Sequence, residues 1–299
     1  MTADFAKLGR DVIVADGAWS TVLRARGVPP SVCPETVNLT APGMVESVAR
    51  EYIACGARII STNTFGAGAE SFRERGETSD ALEVCRAGAA IARKAAGDSG
   101  VWVAGVIGPS GRLLAVREAS ESELADSFAA QAKALAEGGA DLIVLETFSE
   151  LREILVAVEA VRGATSLPVV ACMSFDSGPQ RTQTVMGAAA DVFARTADEA
   201  GADAIGANCG GGIATALPAI VALRGNTRRP VWAKPSVGLP DVVDGQAVYP
   251  QTPDEFGEHV PELLEAGVNV IGGCCGVGPD HIKRVAALVA SFRRKRRPR

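Results

Sequence analysis

Residues 269–282 read NVIGGCCGVGPDHI, with Cys274 and Cys275 side by side in a run of glycines. Neighbours on an extended strand point to opposite faces, so two adjacent thiols share one task only where the backbone turns sharply. Glycines at 272, 273 and 276 permit that turn, because they reach backbone angles that a β-carbon forbids. A third thiol, Cys209, closes the apolar run DAIGANC at 203–209. Three thiolates around one divalent ion form a zinc site with an open fourth position, the arrangement of catalytic rather than structural zinc. Such a centre carries a net charge of about −1, too electron-rich to activate water well. It suits the binding of a substrate thiol, held as thiolate at neutral pH by the metal. Buried free cysteine is common, so the spacing alone leaves three ordinary buried thiols as the alternative.

The rest of the composition narrows the chemistry. The chain has two histidines, His259 and His281, both in helix-like surroundings, which excludes a histidine-rich metal site and offers no good general base. The seven cysteines are odd in number and irregularly spaced, the pattern of thiols or ligands rather than of a disulfide framework. A net charge of −5 gives no electrostatic case for nucleic acid. No apolar run approaches the roughly 20 residues of a membrane span. The first residues lack the basic start and apolar run of a secretory leader. The expectation is a cytoplasmic chain with no membrane partner.

The elements that must position these thiols recur along the whole chain. Strands are expected at 11–16, 57–63, 101–108, 141–147, 168–175, 203–209, 230–236 and 268–275, mostly as continuous apolar runs. That is the pattern of parallel strands covered on both faces. Helices are expected between them at 44–56, 79–97, 120–138, 150–162, 186–200, 213–224, 252–266 and 279–292. Ser79, Ser120 with Glu123, and Thr252 with Glu255 are candidate caps. The phrases ACGAR, EGGAD, EAGAD and EAGVN each end a helix on glycine and hand the chain to a strand. Eight such units without a composition break predict a single α/β domain, a (β/α)8 TIM barrel over residues 1–299 with a basic tail at 293–299. No Gly-x-Gly-x-x-Gly follows the first strand, so dinucleotide binding has no support.

In a barrel the active site gathers where strands end and the following loops begin. Those ends carry Asp16-Gly17, Asn63-Thr64-Phe65, Glu146-Thr147-Phe148, Ser174-Phe175, Asn208-Cys209, Lys234-Pro235-Ser236 and Cys274-Cys275. GANCG followed by GGCCG resembles the homocysteine S-methyltransferase family, zinc-dependent (β/α)8 enzymes that methylate homocysteine to methionine. DGAWST, TVNLTAP, TNTFGA, IGPSG, LETFSE, MSFD and VYPQTPDEF extend the likeness, in order, from about residue 11 to 285. Within the family the motifs resemble the homocysteine domain of cobalamin-dependent methionine synthases and stand-alone bacterial betaine–homocysteine methyltransferases.

The resemblance implies Zn2+ on Cys209, Cys274 and Cys275. It implies contacts to the amino-acid end of homocysteine from Asp16, Gly17 and Glu146, with Asn63, Thr64 and Ser174 nearby. It further implies a methyl donor, either a small onium compound such as betaine or a sulfonium, or methylcobalamin or a separate corrinoid protein. A π-face for an onium donor is expected from the rim aromatics Trp19, Phe65, Phe148, Phe175 and Tyr249. One position departs from the pattern: Ser236 stands where such methionine synthase domains carry an asparagine close to the zinc, leaving water or Ser236 as the resting fourth ligand.

Overall fold

The computed structural model describes residues 11–243 and 246–296. The strands are β1 (Ile13–Val14), β2 (Ile59–Ser61), β3 (Trp102–Ile107), β4 (Leu142–Phe148), β5 (Val169–Met173), β6 (Ala204–Cys209), β7 (Val231–Pro235), β8 (Asp241–Val243), β9 (Gln246–Val248) and β10 (Val270–Ile271). Eight of them form one sheet in the order β1-β10-β7-β6-β5-β4-β3-β2. Every adjacent pair in it is parallel. The two ends of that order meet through a parallel bridge between Ala15 and Ile59, with Asp16 N donating to Ile59 O at 3.0 Å. The sheet therefore closes on itself, with helices between the strands, as a (β/α)8 barrel. β8 and β9 form a separate antiparallel hairpin in the long loop after β7.

Two apolar layers hold the barrel. Alternate strand residues fill its interior, where Ala15, Ile59, Ala104, Leu142, Val144, Val170, Cys172, Ala204, Trp232 and Val270 pack together. Their neighbours, such as Ile143, Leu145, Ala171 and Ile205, point outward into the larger layer between sheet and helices. This parity sets the site: continuing inward past Val144, Trp232 and Ala204 reaches Glu146, Lys234 and Asn208 at the strand ends.

The helices match the expected ones with informative shifts. Ser120 and Glu123 form the capping box that opens Glu121–Glu137, and Thr252 with Glu255 does the same for Pro253–Glu258. Asp80, not Ser79, caps Ala81–Ala96, accepting from Leu82 N at 2.9 Å, while Ser79 Oγ bonds Glu77. The stretch 252–266 is two helices, broken at His259, because Pro261 has no N–H to bond the carbonyl of residue 257. The four helix-ending glycines 56, 139, 201 and 267 all take positive φ. Ala190–Glu199 starts later than expected because 183–189 is held as a loop by bridges from Gln183 to Ser177 and Ala189. The short helices Ser20–Ala25, Val37–Thr40 and Ala69–Glu74 and the β8–β9 hairpin were not expected, since each is too brief to show a periodicity. The last helix, Pro279–Arg296, absorbs the first four residues of the basic run; 297–299 lie outside the described residues.

Candidate active site

The turn after β10 answers why two cysteines stand together. Of its glycines only Gly276 takes positive φ, 78°. Gly272 and Gly273 are there for close approach: a Cβ on them would lie 2.6 Å from Asp16 O and 2.2 Å from Val277 Cγ1. The tight turn brings Cys274 Sγ and Cys275 Sγ to 3.9 Å, and Cys209 Sγ, from the end of β6, lies 3.9 Å from Cys275 Sγ. All three sulfurs fall within 4.8 Å of one another, and among the described residues no other such group of His, Cys, Asp or Glu occurs. Thiolates about 2.3 Å from one tetrahedral ion stand about 3.8 Å apart. Two of the three sulfur pairs, at 3.9 Å, already stand at that spacing.

The protons of the trio point the same way. Contact with Cys209 and Cys274 pulls the Cys275 thiol well below its ordinary value, with Tyr249 and Ser236 assisting against burial. Cys274 is held well above the ordinary thiol value by those two sulfurs and by burial. Sulfurs this close oppose one another's ionisation, as clustered anions do until a cation offsets them. Ser236 Oγ donates toward Cys209 Sγ at 3.7 Å. Contact with Cys275 and, first, burial push Tyr249 up to about 12.

The trio lines a cavity of about 250 Å³ together with Gly17, Trp19, Asn63, Thr64, Glu146 and Lys234 among others. Glu146 Oε1 is buried with no well-aligned hydrogen-bond donor, although Lys234 Nζ stands 3.1 Å from it. Lys234, 3% exposed, also meets Asp16 Oδ1 at 3.2 Å and Ser61 Oγ at 3.0 Å. Burial pushes the lysine down, but Asp16 and Glu146 outweigh it and leave it above its ordinary value. Two carboxylates and one ammonium leave this end of the cavity with one net negative charge.

Not every expected residue reaches the cavity. Asp16 is fully buried beneath it, accepting from Trp19 Nε1, Ser61 N, Ser61 Oγ and Lys234 Nζ. Ser174 also lies outside the lining, its N donating to Phe148 O. Asn63 and Thr64 do line it, yet their side chains are committed to structure: Asn63 Nδ2 donates to Pro34 O and Asn38 Oδ1, Thr64 Oγ1 to Val106 O. Of the aromatics expected at the rim, Phe148 and Phe175 are buried against Phe128 and Phe193, because the strand turns them into the helix layer. Trp19 and Phe65 line the cavity. His281 bonds the glycine turn itself, its Nδ1 accepting from Gly278 N at 3.2 Å. Lys234, Thr147 and Asn208 were visible as polar strand ends but had no role assigned. A lysine at an inward position of an otherwise apolar strand was the signal that it must be paired.

The fold and site define a (β/α)8 barrel whose mouth brings three thiols and a buried carboxylate to one cavity. Residues 13–289 match the family model described as Homocysteine S-methyltransferase, and the chain belongs to that family. It is 32% identical over 310 residues to the methionine synthase of Mycobacterium tuberculosis (strain ATCC 25618 / H37Rv), covering 97% of this chain and 26% of that protein. To the Mycobacterium leprae (strain TN) methionine synthase it is 31% identical over 303 residues, covering 95% of this chain and 25% of that protein. The chain thus spans about a quarter of the length of these relatives. The fold is similar to that of the Escherichia coli homocysteine methyltransferase MmuM in its metallated form, with a TM-score of 0.77 and 23% identity over 93% of this chain and 96% of that one.

Proposed function

We propose that the chain transfers a methyl group to the thiol of homocysteine, giving methionine, with Zn2+ held by Cys209, Cys274 and Cys275. The observation that carries this reading is one cavity lined both by three clustered thiols and by the buried Glu146 carboxylate. When bound, the ion supplies thiol acidification, so that the substrate sulfur is a thiolate at neutral pH. The chain's own residues do the rest. Glu146 receives the substrate ammonium, and the net negative charge of Asp16, Lys234 and Glu146 admits one cation. Asp16 acts from beneath, by fixing Lys234 and Trp19. Asn63 and Thr64 shape the wall, and Gly17 offers backbone close to the substrate. Displacement at the methyl carbon then needs positioning rather than a general base, in keeping with two histidines that stay outside the cavity lining.

For the donor we favour a small onium compound of the betaine or sulfonium type, received against the faces of Trp19 and Phe65. One observation favours the alternative, methylcobalamin or a separate corrinoid protein. Exposed apolar side chains, Phe65, Val116, Val185, Leu239 and Val242 among them, sit on the loops that follow β2, β3, β5 and β7 around the mouth. Likeness to methionine synthases points the same way. The test is methionine formation from homocysteine with each donor in turn. Turnover with an onium donor supports the favoured reading, turnover confined to methylcobalamin or a methylated corrinoid protein reverses the donor, and no turnover with any of them overturns the reaction.

A further inference from the structure

We propose that Asn208 is a positioning residue that locks a bulge in β4, and so holds the ammonium-binding carboxylate and the sulfur trio in one fixed arrangement; this rests on the homocysteine reading above. Between Leu145 and Phe148, β4 advances three residues while β5 advances two, from Ala171 to Met173. One residue of β4 is in excess, which is a β-bulge. Strand parity alone would turn Thr147 outward, away from Glu146. The bulge returns it, so that Glu146 and Thr147 both line the cavity while Phe148 goes out to meet Phe128.

The conformation that achieves this is costly. Thr147 has φ 64°, in the left-handed region, where a β-branched residue is a genuine outlier. Such a residue persists only where its surroundings over-determine it. Asn208 does so with both ends of its amide. Its Oδ1 accepts from Thr147 N at 2.8 Å, and its Nδ2 donates to Thr147 Oγ1 at 2.6 Å. The backbone N–H can only donate, which fixes which end of the amide faces it. The same Nδ2 also faces Cys274 Sγ at 3.8 Å. Asn208 is 2% exposed and directly precedes Cys209, itself left-handed at φ 65°. One buried side chain thus joins the ends of β4 and β6 to the turn after β10.

The roles separate by substitution. Homocysteine affinity is measured by calorimetry with saturating zinc, metal loss by transfer to a chelator, and clamp integrity by hydrogen exchange of the Thr147 amide. Asn208→Ala is expected to weaken homocysteine at least about tenfold, to speed metal loss, and to accelerate exchange at Thr147. Asn208→Asp keeps an oxygen on Thr147 N, so homocysteine affinity stays within about threefold while metal loss still accelerates. In Asn208→Ala/Thr147→Gly the glycine takes positive φ without steric cost, so homocysteine affinity returns within about threefold and the faster metal loss remains. Unchanged homocysteine affinity and Thr147 exchange in Asn208→Ala, or no recovery on adding Thr147→Gly, overturns the proposal. If the wild-type chain binds no homocysteine, the reading of the reaction falls, and Thr147 exchange still decides the clamp.

Discussion

Glu146 and Lys234 divide the electrostatic work of the cavity. The lysine touches Asp16, Ser61 and Glu146, which leaves its ammonium fully occupied, while Glu146 also lines the cavity. Replacing Glu146 by Gln removes the charge and keeps the shape. Homocysteine binding should weaken by about 1–3 kcal/mol while metal content is unchanged; equal affinity, read by calorimetry, would place the ammonium elsewhere. Lys234→Met leaves two carboxylates buried without their cation and should lower stability by about 3–5 kcal/mol in denaturant unfolding. The pH dependence has a definite sign. The folded lysine is held above its ordinary value, so its contribution is complete below the unfolded value of about 10.4 and is lost as pH rises through the folded one. The stability deficit of Lys234→Met should therefore be flat from about pH 7 to 9. A deficit that disappears across that window would contradict the pairing.

The eight barrel strands were legible because parallel strands buried on both faces read as unbroken apolar runs, as in DLIVLET and PVVACMSF. The capping boxes at Ser120 and Thr252 were legible because their chemistry is confined to four residues. Ser120→Ala should cost about 1 kcal/mol, seen as a lower unfolding midpoint, and a change near zero would mean that the Arg152–Glu121 ion pair holds that helix end unaided. What stayed hidden depends on pairings between distant segments. The bulge at Glu146-Thr147 exists only relative to β5, and nothing local marks it. Asp16 stood at a strand end and so fitted a substrate contact, yet it points to Ser61 and Lys234, residues 45 and 218 positions away. The burial of Phe148 and Phe175 in the helix layer follows from the same long-range packing. The three thiols were expected to converge because barrel topology brings the ends of β6 and β10 toward one mouth, and their sulfurs stand within 4.8 Å of one another.

Closure of the sheet gathers residues from β2, β4, β6, β7 and the turns after β1 and β10 around one cavity. Membership of the homocysteine S-methyltransferase family and that convergence support one account: three cysteines hold a metal whose free position takes the substrate thiol. Among the described residues no helix is long and apolar enough to cross a membrane. The central claim is tested most directly by zinc-edge X-ray absorption on the metal-loaded chain, before and after homocysteine is added. The account predicts three sulfur ligands at about 2.3 Å that become four with homocysteine; a sulfur count that stays the same, or that begins below three, would contradict it.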